Sequence, residues 1–287
     1  MGDALKLLTA EQVEQFHHDG FVSPIRIMSE DAATELRRRL EAHEAATGGP
    51  LKGGLRHKTH LLFSWLGDLV RDERILDSIE DLYGPDLLCW TTTFFIKEAR
   101  DPGFVSWHQD STYWGLSTPD VVSAWVAFTA SNATNGAMSV VPGSHKLDQL
   151  PHRDTYEPAN MLSRGQEVEV DLDPSNAVRL DLRPGEMSLH HVRLIHGSAA
   201  NDSDDRRIGF AMRYIPTHVR QLNAHDSATL VRGTDHHGNF ELEPRPLTDL
   251  EPDLVALHQR IAEDNAKILY KGTDIASYDA PGAVGER

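Results

Sequence analysis

The 287-residue chain predicts a mainly β protein with flanking helices, in which a β jelly roll lies behind a helical N-terminal layer. Three observations predict it. Apolar residues recur at helical spacing in the first 86 residues. Between Leu87 and about Tyr214 the texture changes to short runs rich in Val, Thr, Ile and Phe, separated by Gly, Pro and Asn clusters. No internal repeat or low-complexity linker divides the chain. Many short strands at such spacing mean a sandwich, jelly roll or barrel. One undivided chain with a helical start then reads as a single domain over 1–287: a helical layer over 1–86, a jelly-roll core over 87–216, and a C-terminal segment and helix over 217–287.

Each element has its own signal. Thr9-Ala10-Glu11-Gln12 sets a capping hydroxyl three residues before a glutamine and opens a short amphipathic helix carrying Val13 and Phe16, which Gly20 ends before an extended stretch at Phe21-Val22. Ser29 caps a longer helix in which Ala32, Ala33, Leu36 and Leu40 recur until Gly48-Gly49-Pro50 stops it. Asp68 to Tyr83 reads as a third helix, ended by Gly84-Pro85. Strands are expected at Thr91 to Lys97, Val121 to Thr129, Met138 to Val141, Val168 to Val170, Glu186 to Leu189 and Ile208 to Ile215. Thr217 to Glu251 reads as irregular, and Leu254 to Leu269 as the last helix.

Composition narrows the function. With 28 Lys+Arg against 44 Asp+Glu the net charge is −16, and 39% hydrophobic and 25% charged residues are ordinary globular usage. A surface of that sign repels a polyanion, so nucleic acid is not an expected partner. Cys89 is the lone cysteine, which rules out an intramolecular disulfide and a thiolate cluster; beside Trp90 in an apolar run it reads as a small buried hydrophobe. Met1 to Lys6 lacks a basic region followed by an apolar run, and nothing approaches the roughly 20 apolar residues of a membrane span. The expectation is a cytoplasmic protein, monomer or homodimer, with a small-molecule partner and no membrane. The 16 histidines favour a metal site and also raise the rate of accidental spacings.

On a strand, residues i and i+2 share a face, so His-x-Asp can bring an imidazole and a carboxylate to one point. With a distant histidine they make a 2-His-1-carboxylate triad, which leaves open positions on Fe(II). The tripeptide occurs three times, at His17/Asp19, His108/Asp110 and His152/Asp154. His17 lies on the first helix, where i and i+2 diverge by about 200°. His152 follows Pro151 in a polar loop and reads as surface. His108 stands near the rim of the β region in Val105-Ser106-Trp107-His108-Gln109-Asp110, with Tyr113 and Trp114 after it to wall a pocket. Downstream come a turn, strand and turn from Asn135 to His145, a turn at Pro184-Gly185-Glu186 with a strand to His190-His191, then His196-Gly197-Ser198, and Arg207 opening an apolar strand.

Trp107-His108-Gln109-Asp110, Asn135-Gly136, Pro142-Gly143-Ser144-His145, His196-Gly197-Ser198 and Arg207, in this order and spacing, resemble the phytanoyl-CoA dioxygenase family of Fe(II)/2-oxoglutarate-dependent oxygenases. The resemblance runs from Glu11 through the Arg207 strand. It implies a double-stranded β-helix, the cupin-like jelly roll, and an enzyme using Fe(II), 2-oxoglutarate as co-substrate and O2. It also implies that His108, Asp110 and His196 hold the iron, that Arg207 takes the distal carboxylate of 2-oxoglutarate, and that Ser198 bonds the same group. Arginine suits that role because its planar fork matches a carboxylate. Arg206 faces the other way on a strand and is the fallback. Trp125 matches a tryptophan lining the co-substrate pocket, with a sheet-core aromatic as the alternative. Lys58 lies where the family often places a lysine near the co-substrate, with a solvated surface lysine as the alternative.

For substrate the expected contacts are Tyr113, Trp114, Lys97 and Arg213, with Arg232 further on, the basic ones meeting an anionic group. His145 reads as architectural, His190 and His191 as supports for the strand before the distal ligand, and His236-His237 as a loop. The reaction implied is hydroxylation of an unactivated C–H bond in a small polar metabolite or natural-product intermediate, with release of succinate and CO2. Asp110 stands where related halogenases carry a small residue, which favours hydroxylation over halogenation. Desaturation, epoxidation or cyclisation at the same triad, a cupin-like metalloenzyme that is not an oxygenase, and a silent binding protein are the competing readings.

Overall fold

The computed structural model describes residues 4–170, 174–275, 277 and 278. Local chemistry starts and stops its helices. In α1 (Ala10–Asp19) the Thr9 hydroxyl accepts from the Gln12 N–H at 3.2 Å, the Gln12 side chain accepts from the Thr9 N–H at 2.9 Å, and Gly20 closes the helix at φ 85°. Ser29 caps α2 (Glu30–Thr47) in the same sense. The single helix expected from Asp68 to Tyr83 is instead two, α3 (Ser64–Leu69) and α4 (Glu73–Tyr83). Asp72 breaks it: its backbone leaves the helical region, and its carboxylate accepts from the N–H groups of Arg74 and Ile75 to start α4.

The strands are β1 (Phe21–Arg26), β2 (Leu87–Lys97), β3 (Val105–His108), β4 (Val122–Ala127), β5 (Met138–Val140), β6 (His152–Asp154), β7 (Gln166–Val168), β8 (Val178–Arg179), β9 (Glu186–His191), β10 (His196–Ser198), β11 (Arg207–Pro216), β12 (Ser227–Arg232) and β13 (Glu241–Leu242), followed by α5 (Pro252–Leu269). They form a seven-stranded sheet in the order β1-β9-β4-β11-β2-β12-β13, a four-stranded sheet β3-β10-β5-β8, and the pair β6-β7. The architecture is the double-stranded β-helix. Two expectations are corrected. The segment from Thr217 to Glu251 is not all irregular, since β12 and β13 extend the major sheet, and β1 joins its other edge from the helical layer. His152–Asp154 is a strand, paired with β7, and not a loop.

Side-chain alternation decides what each face of the major sheet meets. Phe94, Phe210 and Met212 pack with Leu40, Leu66, Ile75 and Ile79 of the helices, and Cys89 is buried in that layer. Trp125, Ala127 and Ala211 face the other way and pack with Met138, Val140 and Leu194. One bulge matters for the interior. Arg213 pairs with Thr91 but Tyr214 pairs with Cys89, so Trp90 is the extra residue, and both Trp90 and Thr91 reach the cavity between the sheets. Among the described residues, no helix is long and apolar enough to cross a membrane.

Candidate active site

The smaller sheet brings two histidines together. His108 ends β3 and His196 begins β10, and the two are direct Cα partners across that antiparallel pair, with ring centroids 4.2 Å apart. Past His108 the chain turns: the Asp110 N–H donates to Val192 O at 3.0 Å, and a 3-10 turn begins at Asp110. The turn sends the Asp110 carboxylate back to the rings, where Oδ1 lies 3.3 Å from His108 Nε2 and 4.0 Å from His196 Nε2. All three residues are buried, and their ligand atoms lie within 4.8 Å of one another.

The orientation of the rings says what this cluster is for. His108 Nδ1 is 2.9 Å from Ser106 O, and His196 Nδ1 is 2.9 Å from Leu194 O, so each Nδ1–H donates to a backbone carbonyl. In the neutral rings both Nε2 atoms then present lone pairs toward a carboxylate oxygen, and a proton or a cation has to separate these acceptors. The donor set fits a divalent metal: two imidazoles held by carbonyls and one carboxylate, as in the 2-His-1-carboxylate sites of ferrous iron. Asp110 keeps its charge. Burial works against it, but the His108 ring, when it carries a proton, and the Arg213 guanidinium outweigh burial and hold its carboxyl well below the usual range. Burial, reinforced by His108, pushes His196 well below an ordinary histidine.

Beside the triad, β11 turns Arg207 inward. The residue is 2% exposed, donates from Nη1 to Gly136 O at 2.9 Å, and sets its guanidinium 5.2 Å from the Trp125 ring. Its Nε has no partner, and no carboxylate of the described residues pairs with it. Burial lowers its pKa to about 10. A buried cation without a counter-charge fits an anionic ligand such as a dicarboxylate. Trp125 can lie along β11 only because residue 209 is glycine: a Cβ there would stand 1.8 Å from Trp125 Cζ2. Ser198, at the end of β10, lines the same cavity.

Several expected residues lie elsewhere. Lys97 is not on the substrate side. It is the β2 partner of Arg207, buried, and its Nζ donates to Ser198 Oγ at 2.8 Å and to Ala199 O; burial, with Arg207 beside it, lowers its pKa to about 6. Lys58 is neither near the co-substrate cavity nor solvated. Its ammonium meets Glu243 Oε1 at 2.5 Å and Ser227 O at 2.7 Å, in a network with His60, whose ring reaches Thr92 and Thr229 on the helix-facing side of β2 and β12. Arg232 is held by Asp77 at 2.6 Å and Glu80 at 2.8 Å. Arg206 faces outward to Glu44 and Glu98, which leaves Arg207 as the inward arginine.

Tyr113, Trp114 and Arg213 do gather near the triad. With Asp110 they line a second cavity, walled further by Trp90, which shares Phe95 and Arg213 with the first. The Tyr113 hydroxyl donates to Asp154 Oδ1 at 2.5 Å, and the His152 ring accepts from the Gln109 N–H at 2.9 Å. The third His-x-Asp therefore braces the segment that carries the second. His145 Nε2 reaches His17 O at 3.2 Å, an architectural contact. Sequence reasoning read His190 only as a strand support and missed Asn265 and Ile268. His190 faces the cavity with its ring 4.9 Å from His196 and its Nδ1 unpartnered; its signal is the polar phase of β9, shared with Ser188. Asn265 and Ile268 of α5 close the outer cavity, and no local pattern announces that.

The chain is similar to known proteins. The chain is 34% identical over 158 residues to a probable alpha-ketoglutarate-dependent hypophosphite dioxygenase of Stutzerimonas stutzeri, covering 53% of this chain and 54% of that protein. It is 30% identical over 218 residues to an ectoine dioxygenase of Nocardia farcinica, covering 67% and 72%. The chain thus spans about half the length of the hypophosphite relative. Among solved structures, the apo form of the non-heme monooxygenase ThoJ superposes with a TM-score of 0.78 at 35% identity, over 87% of this chain and 94% of that one. The family model for phytanoyl-CoA dioxygenase (PhyH) matches residues 16–209, and with that span, fold and buried triad the chain belongs to the phytanoyl-CoA dioxygenase family.

Proposed function

We propose that the chain is a single-domain Fe(II)- and 2-oxoglutarate-dependent dioxygenase that hydroxylates an unactivated C–H bond of a small polar metabolite or natural-product intermediate, releasing succinate and CO2. One observation carries the reading: His108 and His196 of a buried cluster with Asp110, both Nε2 atoms turned inward, share a cavity with a buried Arg207 that has no carboxylate partner among the described residues. The relatives named as hypophosphite and ectoine dioxygenases support the same class. When bound, ferrous iron and 2-oxoglutarate supply the oxygen chemistry that side chains lack.

The chain's own contribution is positioning and exclusion of water. The carbonyls of Ser106 and Leu194 fix the ring orientations, and Ser123 Oγ donates to Asp110 Oδ2 at 3.3 Å to steady the carboxylate. Arg207 would hold the distal carboxylate of the co-substrate, with Ser198 beside it and the Trp125 indole covering the guanidinium. Retention of Asp110 supports hydroxylation over halogenation. The test is anaerobic addition of Fe(II) and 2-oxoglutarate, followed by admission of O2 with a metabolite panel. A visible charge-transfer band, and then substrate-stimulated succinate that disappears in His108→Ala and Asp110→Ala, is expected. Turnover that proceeds without O2 would replace the oxygenase with another metal-dependent reaction.

A further inference from the structure

Arg213 is a second buried guanidinium in the same cavity. It projects inward from β11 at 6% exposure, with the rings of Phe95 and Trp114 each 5.6 Å from its Cζ. Its approach to Asp110 is long, 3.9 Å from Nη2 to Oδ2, and its Nε and Nη1 have no hydrogen-bond partner among the described residues. Native proteins rarely leave such donors unmet in the interior. Charge points the same way. A divalent ion and Arg207 are matched by Asp110 and a dicarboxylate, and the charge of Arg213 is left over. Lys97 does not share this exposure to the cavity, since its ammonium donates to Ser198 and Ala199.

Position adds the chemical class. Arg213 lines both the compartment of His108, His196 and Arg207 and the outer compartment walled by Trp90 and Trp114. We propose that Arg213 anchors an oxyanion of the substrate, a carboxylate or a phosphorus oxyanion, through the N–H groups that the protein leaves unpaired, while the rest of the molecule lies along Trp90 and Trp114. Anchoring there sets the substrate beside Asp110 and hence beside the metal. The inference rests on the proposed dioxygenase reading of the site.

The experiment loads the full chain with redox-inert Ni(II) and saturating 2-oxoglutarate, so that Arg207 is occupied. It then titrates benzoate, phenylphosphonate and the neutral benzamide, following tryptophan fluorescence and the thermal midpoint. At least one anion is expected to bind ten times more tightly than benzamide, and the two anions separate carboxylate from phosphorus chemistry. Arg213→Gln is expected to bring that ratio close to one. A ratio is the readout because a role limited to orienting Asp110 would not move it. If Arg213→Gln fails to fold by circular dichroism, Arg213→Lys carries the test, with at least a threefold fall in the ratio expected. The proposal is overturned if neither anion is preferred over the amide, or if the ratio survives the substitution. Failure of Ni(II) and 2-oxoglutarate to bind at all overturns it together with the dioxygenase reading, whereas both binding without anion preference removes only the role of Arg213.

Discussion

On one face of the major sheet Lys58, His60 and Glu243 are as deeply buried as His108, Asp110 and His196 are between the two sheets. Every charged group of the first cluster is answered. The Lys58 ammonium has Glu243 and the Ser227 carbonyl, and Glu243 also accepts from Ser227 Oγ and Thr229 Oγ1, each at 2.7 Å. The second cluster leaves Nε of Arg207, Nε and Nη1 of Arg213 and Nδ1 of His190 unanswered. Both contain shifted groups: Lys58 and His60 override burial to keep Glu243 well below the usual carboxylate range, much as His108 and Arg213 do for Asp110. Burial and perturbed ionisation therefore do not mark a ligand site by themselves. Unmet donors facing a cavity do.

Substitutions sharpen this contrast. The largest effect is expected at the triad: His108→Ala should lower 2-oxoglutarate turnover by roughly a thousandfold or more, with metal content by elemental analysis falling in parallel and the thermal midpoint changing little. Next, Arg207→Ala should raise the KM for 2-oxoglutarate by about 30-fold or more, because a buried charge-assisted contact is lost; initial rates of succinate formation measure it. On the opposite face the outcome reverses. Glu243→Gln should cost about 3–5 kcal/mol in denaturant unfolding, since the Lys58 charge is left buried and unpaired, while kcat per folded molecule stays unchanged. A large loss of activity there would dissolve the distinction between the clusters.

The pH dependence follows with a definite sign. The folded pKa of Glu243 is depressed, so its contribution is complete above the unfolded value of about 4.3 and is lost as pH falls through the lower folded value. Wild-type stability should therefore drop in acid more steeply than that of Glu243→Gln, as measured by unfolding across pH 3 to 7. Gly209→Ala should cost about 1–3 kcal/mol and weaken 2-oxoglutarate binding several-fold, because the new methyl displaces the Trp125 indole. The smallest effect belongs to Arg232→Ala, about 1 kcal/mol for a partly exposed pairing, with turnover untouched.

How much of this was legible before the structure depends on the range of the interaction. The helix ends were written locally, in Thr9 with Gln12, Ser29, Gly20 and Gly48. Strand alternation allowed only one of Arg206 and Arg207 to point inward and the family spacing selected Arg207; the structure bonds Arg207 to Gly136 O inside and Arg206 to Glu44. His-x-Asp at 108 to 110 was readable because β3 ends where the chain must turn. Lys58 and Lys97 were misplaced for one physical reason. A lysine's role is set by the acceptor it meets, and the acceptor of Lys58 lies 185 residues away in Glu243. The split between α3 and α4 was hidden because the apolar spacing runs across Asp72, whose capping role emerges only from its backbone angles. The start of β1 was legible as the extended stretch at Phe21-Val22, whereas β12 was obscured by its separation from the main run of strands.

Arg207 and Arg213 belong to one strand, six positions apart, which separates their Cα atoms by about 20 Å. The two residues between them that point the same way are Gly209 and Ala211, the smallest side chains available, and the Trp125 indole takes the room that they leave. One strand and one indole thus fix the distance between two buried guanidiniums, and under the proposed reading the co-substrate and the substrate would have to divide that span between them.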